Sequence, residues 1–301
     1  MYDSGATLVA PYSTRRLIGG RYELYGEIGR GGFGIVYEAF DARLLRHVAL
    51  KLPRPGKFSA KSLRYFAREI ECAARVQHRN VCRVLDAGVL DDGRPFVVME
   101  RLQGETLFAF LARRKTWGAS AAIDIALDVL AGLEAIHAQG IVHRDVKPGN
   151  VFLAERPGGD RPIVKLLDFG SCRDRSVGAA DPVSDRRCTG TPAYMTPERI
   201  RGARDLGSEG DLYAVGVLLY EMLSGRPAYE GDLRQIVHAI VRGSFPRLRA
   251  VRPELIGLDA IVARATSRDR KLRYGSVAEL RRDLELARDR DDELPTLPRR
   301  H

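Results

Sequence analysis

Nothing in this chain of 301 residues approaches the ~20 consecutive apolar positions that carry a helix across a bilayer. The longest apolar run, "LYAVGVLLY" at Leu212–Tyr220, stops far short. The opening "MYDSGATLVAPYSTRR" lacks an apolar segment behind a basic start, so no secretory signal is expected there. Cysteine is scarce. Cys72, Cys82, Cys172 and Cys188 form no C-x-x-C pair, which argues against zinc and against a thioredoxin-like redox centre. Internal repeats and low-complexity blocks are absent. Long runs of one charge are also absent. Lys and Arg number 49 against 39 Asp and Glu, a net charge of +10, but the positive residues are scattered. They read as a solvated arginine-rich surface rather than a nucleic-acid or membrane patch. These absences together fit a cytoplasmic chain.

What is present is ordinary globular composition, with 45% hydrophobic and 29% charged residues. Residues 1–20 read as an irregular extension. From Arg21 to about Met99 the segments "RYELYGEIG", "GIVYEAFDA", "HVALKLP", "VCRVLDAGVL" and "PFVVME" read as strands separated by Gly, Pro or Asp. One helix, "SAKSLRYFAREIECAARVQ", interrupts them. Beyond Gly104 the periodicity turns helical. "SAAIDIALDVLAGLEAIHAQG" offers Ser120 as N-cap, Ile123, Leu127, Leu130, Leu133 and Ile136 at helical spacing, and Gly140 as terminator. "DLYAVGVLLYEMLSG" is apolar all round and predicts a buried helix. Ser276 and Glu279 have the spacing of a capping box. The proline-broken end, residues 291–301, predicts a flexible tail. A strand-rich part followed by a helix-rich part predicts an α+β chain with two lobes.

Several short motifs carry chemistry. "GRGGFG" (Gly29–Gly34) fits G-x-G-x-x-G, whose glycines let backbone amides approach phosphate oxygens. A Rossmann site shares this spacing but must open a helix, whereas "IVYEAF" alternates like a strand. "VALK" ends an apolar strand on Lys51, and the following helix carries Glu69 and Glu71 as candidate partners. In "HRDVKPGN" (His143–Asn150), Pro148 excludes a helix interior and points to a loop. That loop gathers a carboxylate, an ammonium and an amide. "KLLDFGS" sets Asp168 just before a glycine at a strand end, where a carboxylate suits a hard cation.

Taken in order, the glycine hairpin, the strand Lys, the helix Glu, H-R-D-x-K-x-x-N, D-F-G and "GTPAYMTPE" (Gly190–Glu198) resemble the protein kinase family. The resemblance covers roughly residues 21–290. It implies the bilobal kinase fold, with a small antiparallel β-sheet lobe carrying one key helix (21–101) and a larger, mainly helical lobe (102–290). It implies ATP and Mg²⁺ as cofactors, with Mn²⁺ as an alternative, and protein substrates bearing Ser or Thr acceptors. Gly29, Gly31 and Gly34 would cover the phosphates, Val36 and Ala49 would help bind the nucleotide, and Met99 would guard the back pocket. The backbones of Glu100 and Leu102 would form the hinge, so the unusual Arg101 need not interfere. Lys51 would hold the α- and β-phosphates, oriented by Glu69. Asp145 would serve the nucleophile, Lys147 the γ-phosphate, and Asn150 and Asp168 the metal.

Lys147 and Thr191 match the serine/threonine branch, in which that threonine contacts the catalytic Asp and Lys. Glu198 and Arg273 resemble a buried ion pair that holds the activation segment, and Asp211 a residue that anchors the catalytic loop. Two positions depart from the usual pattern, Thr196 in "TPE" where alanine is usual and Gly149, and neither removes a catalytic group. Arg144 resembles the arginine that pairs with an activation-segment phosphate, which makes Ser184 or Thr189 the expected acceptor, with self-association for autophosphorylation. The "SVAEL" ending resembles the bacterial branch of eukaryotic-like kinases. A soluble kinase or an excised catalytic domain is expected, without nucleic acid or membrane. Two other readings stand beside this one: a scaffold that keeps the fold without transferring phosphate, and a nucleic-acid binder suggested by net charge alone.

Overall fold

Alternating apolar and polar residues between Gly-rich turns build most of the first third of the chain into a sheet. The structure is a computed structural model and describes residues 17–31, 34–54, 60–113, 117–156, 158–159, 161–174, 191–203 and 206–292. Its strands are β1 (Leu17–Ile18), β2 (Tyr22–Arg30), β3 (Gly34–Asp41), β4 (Arg46–Pro53), β5 (Val84–Val89) and β6 (Pro95–Glu100), in the spatial order β1-β2-β3-β4-β6-β5. The chain divides into two compact units, 1–63 with 85–101, and 64–84 with 102–301.

In the first unit, strand alternation sorts the residues of β4 onto two faces. Val48, Leu50 and Leu52 join Ile18, Tyr22, Ala39, Phe96 and Val98 in a small core. Ala49 and Lys51 therefore take the opposite face. The extension expected to be irregular up to residue 20 ends in β1, which pairs with β2 through Leu17↔Glu23 and Ile18↔Tyr22. Ile18 is buried in the core, which explains why so short a strand holds. Arg21 adds two hydrogen bonds to Asp41, at 2.8 and 2.6 Å, and one to Asp86 at 2.9 Å.

The second unit contains α1 (Ala60–Ala74) from Arg64 onward, β7 (Gly104–Thr106), α2 (Leu107–Arg113), α3 (Ala119–Ala138), β8 (Ile141–Val142), β9 (Val151–Ala154), β10 (Ile163–Leu166), β11 (Arg173–Asp174), α4 (Pro197–Ile200), α5 (Glu209–Ser224), α6 (Leu233–Arg242), α7 (Ile256–Ala265) and α8 (Val277–Asp292). Its large core is built mainly on α3 and α5. Each fully buried Leu or Val there contributes ~1.5–3 kcal/mol. The compact units also part between residues 101 and 102, but residues 64–84 group with the helical unit. Arg75 on the coil after α1 reaches Asp174 at 2.5 Å, and Asn80 bonds the Val164 carbonyl at 2.8 Å.

The helix ends obey local chemistry, with two departures from the sequence reading. Gly118, not Ser120, is the N-cap of α3, and no side chain caps it. Before α8, Ser276 accepts from the Glu279 amide at 3.2 Å, but the Glu279 carboxylate turns to the Gly275 amide at 3.0 Å, one residue earlier than a capping box requires. Gly140, with φ of 71°, follows the end of α3, and Gly225 ends α5 in the left-handed region.

Candidate active site

In the sheet unit, register alone assembles the residues assigned to the nucleotide. Gly29 lies opposite Val36, Val36 opposite Lys51, and Ala49 opposite Met99. Cross-strand partners and residues two apart share a face, so Gly29, Val36, Ala49, Lys51 and Met99 line one side of the sheet, away from the small core. The hairpin between β2 and β3 is closed by the Gly31 amide donating to the Gly34 carbonyl at 2.9 Å. A Cβ on Gly34 would stand 2.6 Å from the Leu52 carbonyl oxygen, so only glycine lets β3 pass β4 there. Lys51 is buried. Glu100 and Leu102 follow on β6 and just beyond it, and Arg101 is drawn to Glu38 at 3.4 Å.

Glu69 and its rival Glu71 are separated by burial. Glu69 is buried on α1, whereas Glu71 is exposed and pairs with Arg68 at 3.3 Å.

In the helical unit the residues of "HRDVKPGN" form one polar knot. Lys147 Nζ donates to Asp145 Oδ2 at 2.7 Å, and Asn150 Nδ2 donates to the same oxygen at 2.9 Å and to the Asp145 carbonyl at 2.8 Å. Pro148 opens a single 3-10 turn, Pro148–Asn150, that swings Asn150 back to Asp145. The loop is tied to the "DFG" segment in two places. The Leu167 amide donates to the Asn150 carbonyl at 2.8 Å, and His143 Nε2 lies 3.2 Å from the Leu167 carbonyl. Asp168 therefore begins where Asn150 is fixed. The Gly170 amide bonds Asp168 Oδ1 at 3.0 Å.

Arg144 and Asp168 adopt φ of 65° and 61°, a region that costs a non-glycine residue free energy. Asp211, in the first turn of α5, helps hold Arg144 there. Its carboxylate accepts from the His143 amide at 3.0 Å and the Arg144 amide at 2.7 Å. Burial alone would raise the Asp211 carboxyl, but the hydrogen bond and charge of His137, 2.8 Å away, keep it below its ordinary value. Sequence reasoning missed His137; the only trace was a histidine in the last turn of the helix, next to the buried Ile136. It also missed Arg199, whose guanidinium donates to the Arg144 carbonyl.

Farther along, Arg273 donates to both oxygens of Glu198, at 2.6 and 2.8 Å. Burial raises the Glu198 carboxyl, but the bonds from Arg273 outweigh it and leave the group lowered. Thr196 explains itself here. Its hydroxyl accepts from the Arg199 amide at 3.3 Å and caps α4, with Pro197 at the first helical position. Thr191 opens the Pro192–Tyr194 turn, and its carbonyl accepts from the Tyr194 amide. Among the described residues it makes no hydrogen bond to Asp145 or Lys147, unlike the contact that the resemblance implies. Both Asp145 partners come instead from its own loop. Ser184 and Thr189 lie outside the described residues.

The arrangement offers a carboxylate held beside an ammonium, a second carboxylate on the adjoining strand end, and an amide between them. Among the described residues no cluster of three or more His, Cys, Asp or Glu could cage a metal by itself. Comparison with known proteins agrees with this inventory. Residues 22–273 match the family described as "Protein kinase domain". The chain is 36% identical to the probable serine/threonine-protein kinase SCO3848 of Streptomyces coelicolor, over 91% of this chain and 41% of that protein. It is 37% identical to the serine/threonine-protein kinase PknL of Mycobacterium tuberculosis, over 89% of this chain and 66% of that one. It thus spans only part of these relatives. The crystal structure of the Mycobacterium tuberculosis PknI kinase domain superimposes with a TM-score of 0.70 at 26% identity, covering 91% of this chain and 98% of that one. The chain belongs to the eukaryotic-like protein serine/threonine kinase family, on its bacterial branch.

Proposed function

We propose that this domain transfers the γ-phosphoryl group of ATP to Ser and Thr hydroxyls of proteins. The observation that carries this reading is the Asp145 carboxylate, held at once by Lys147 and Asn150 on a loop whose backbone is anchored by Asp211. Asp145 orients the acceptor hydroxyl and takes its proton as the new oxygen–phosphorus bond forms and the bond to the ADP oxygen breaks. Lys147 offsets charge on the transferred group. Such positioning and charge compensation supply most of the catalysis in phosphoryl transfer.

The donor chemistry fits Mg²⁺, which prefers one or two carboxylate or amide oxygens completed by phosphate oxygens and water. Asp168 and Asn150 would hold it: the amide nitrogen of Asn150 faces Asp145, which leaves its oxygen for the cation. The ion would neutralise phosphate charge. Lys51 and the glycine hairpin would hold the triphosphate, with Glu69 orienting Lys51.

Arg144 supports activation by phosphate. Burial and the neighbouring charges of Arg173 and Arg199 push its guanidinium down to about 10, a site where an added anion would be welcome. Autophosphorylation at Ser184 or Thr189, through transient self-association, follows from this reading. Mass spectrometry after incubation with ATP and Mg²⁺ should find phosphate between residues 171 and 189; an unmodified, fully active enzyme would rule it out. Among the described residues no helix is long and apolar enough to cross a membrane, and a cytoplasmic setting is part of the proposal.

The transfer itself is tested by phosphoamino-acid analysis of a generic basic substrate incubated with the protein, γ-labelled ATP and Mg²⁺. Phosphoserine and phosphothreonine are expected. Phosphotyrosine alone would overturn the specificity, and no transfer from nucleotide-bound protein would favour a scaffold.

A further inference from the structure

Arg68, Cys72 and Arg75 recur at spacings of four and three, which places them along one side of α1 and its immediate continuation. Both arginines converge on one carboxylate. Arg75 lies 2.5 Å and Arg68 3.4 Å from Asp174 Oδ2. Cys72 sits between them along the helix. Cys172 stands just ahead of β11, two residues before Asp174, with its amide turned back to the Phe169 carbonyl at 3.0 Å. The two ion pairs therefore lay the stretch of α1 that carries Cys72 against the stretch that carries Cys172, and both cysteines are buried in one apolar cluster. Interaction with the neighbouring Cys172 thiol, helped by the charge of Arg68, lowers Cys72 below the ordinary thiol range. The same interaction and burial push Cys172 up. Both are free thiols in this structure.

We propose that Cys72 and Cys172 form an oxidisable dithiol that a peroxide converts to a disulfide. The Cys72 thiolate attacks one peroxide oxygen; a sulfur–oxygen bond forms, the oxygen–oxygen bond breaks, and water leaves after protonation. The Cys172 sulfur then attacks the sulfenic sulfur; the sulfur–sulfur bond forms, hydroxide departs, and the Cys172 proton converts it to a second water. The two sulfurs lose two electrons and the peroxide gains them. The bond staples α1, which carries Glu69 three residues before Cys72, to the segment that starts at Asp168, four residues before Cys172. Neither sulfur belongs to the phosphate-transfer machinery, so the proposal stands apart from that reading.

Non-reducing peptide mapping of the purified chain after hydrogen peroxide treatment tests it. A cross-linked peptide joining Cys72 to Cys172, lighter than the sum of its parts by two hydrogens, is expected, and a dithiol should restore both free thiols. Cys82→Ala should leave the cross-link intact, whereas Cys172→Ala should remove it. A bond from either cysteine to Cys82 or Cys188, or oxidised but unlinked thiols in the wild-type chain, would overturn the proposal. The wild-type map decides the matter even where a variant folds poorly.

Discussion

In the sheet unit the candidate nucleotide residues are set by strand register, with Val36, Ala49, Lys51 and Met99 sharing a face because β3, β4 and β6 pair as they do. In the helical unit the candidate catalytic loop hangs instead on polar side chains: His137 on Asp211, Asp211 on the amides of residues 143 and 144, and Lys147 and Asn150 on Asp145. Cores differ in the same sense. One is a small cluster around Tyr22, Leu50 and Phe96; the other is continuous through α3 and α5. A binding surface can be supplied by ladder geometry, which tolerates side-chain change. A reacting carboxylate in a strained loop requires specific partners, and those need a deep core around them.

Lys51→Ala removes the buried ammonium from the shared sheet face; kinase turnover should fall by ~10²–10³, and steady-state kinetics would show it. A fall below tenfold would mean that register alone does not define the site. Arg273→Ala leaves the half-buried Glu198 without its cation, and unfolding in urea should register a loss of about 3 kcal/mol, the low end for a buried pair.

Acid should act on the sheet unit through Asp41, whose carboxyl the Arg21 hydrogen bonds hold down to about 2 against an ordinary 3.8. Because the folded value is the lower one, the contribution is complete above about pH 4 and lost as pH falls towards 2. Asp41→Asn should flatten the urea midpoint over that window; an unchanged acid limb would contradict it. The smallest effect is expected at α6, where Asp232 accepts from the Gln235 amide at 2.9 Å and Gln235 returns a bond to the Asp232 amide at 2.8 Å. Asp232→Ala should cost about 1 kcal/mol by the same urea measurement.

Much of this was legible in the sequence because the chemistry demands particular residues at short spacing. Asp145, Lys147 and Asn150 meet within one loop, and the strands with Val36 and Lys51 announce themselves by alternation. What stayed hidden depends on residues far apart in sequence. Nothing local says that Arg75 will reach Asp174, so the grouping of most of α1 with the helical unit could not be read. Nor does anything local tie Arg199 to the Arg144 carbonyl. β1 is too short to carry a periodic signal, and it holds because Ile18 fills the core. Ser120 looked like a cap because it precedes an apolar stripe, but α3 starts one residue before it, leaving Gly118 at the cap.

Asp145 is the group proposed to receive the acceptor's proton. Turnover of the wild type and of Asp145→Asn, measured with saturating ATP and Mg²⁺ on the same protein substrate, tests this most directly. A loss of ~10²–10⁴ in kcat with nucleotide affinity retained is predicted. An Asp145→Asn variant that phosphorylates at the wild-type rate would contradict it.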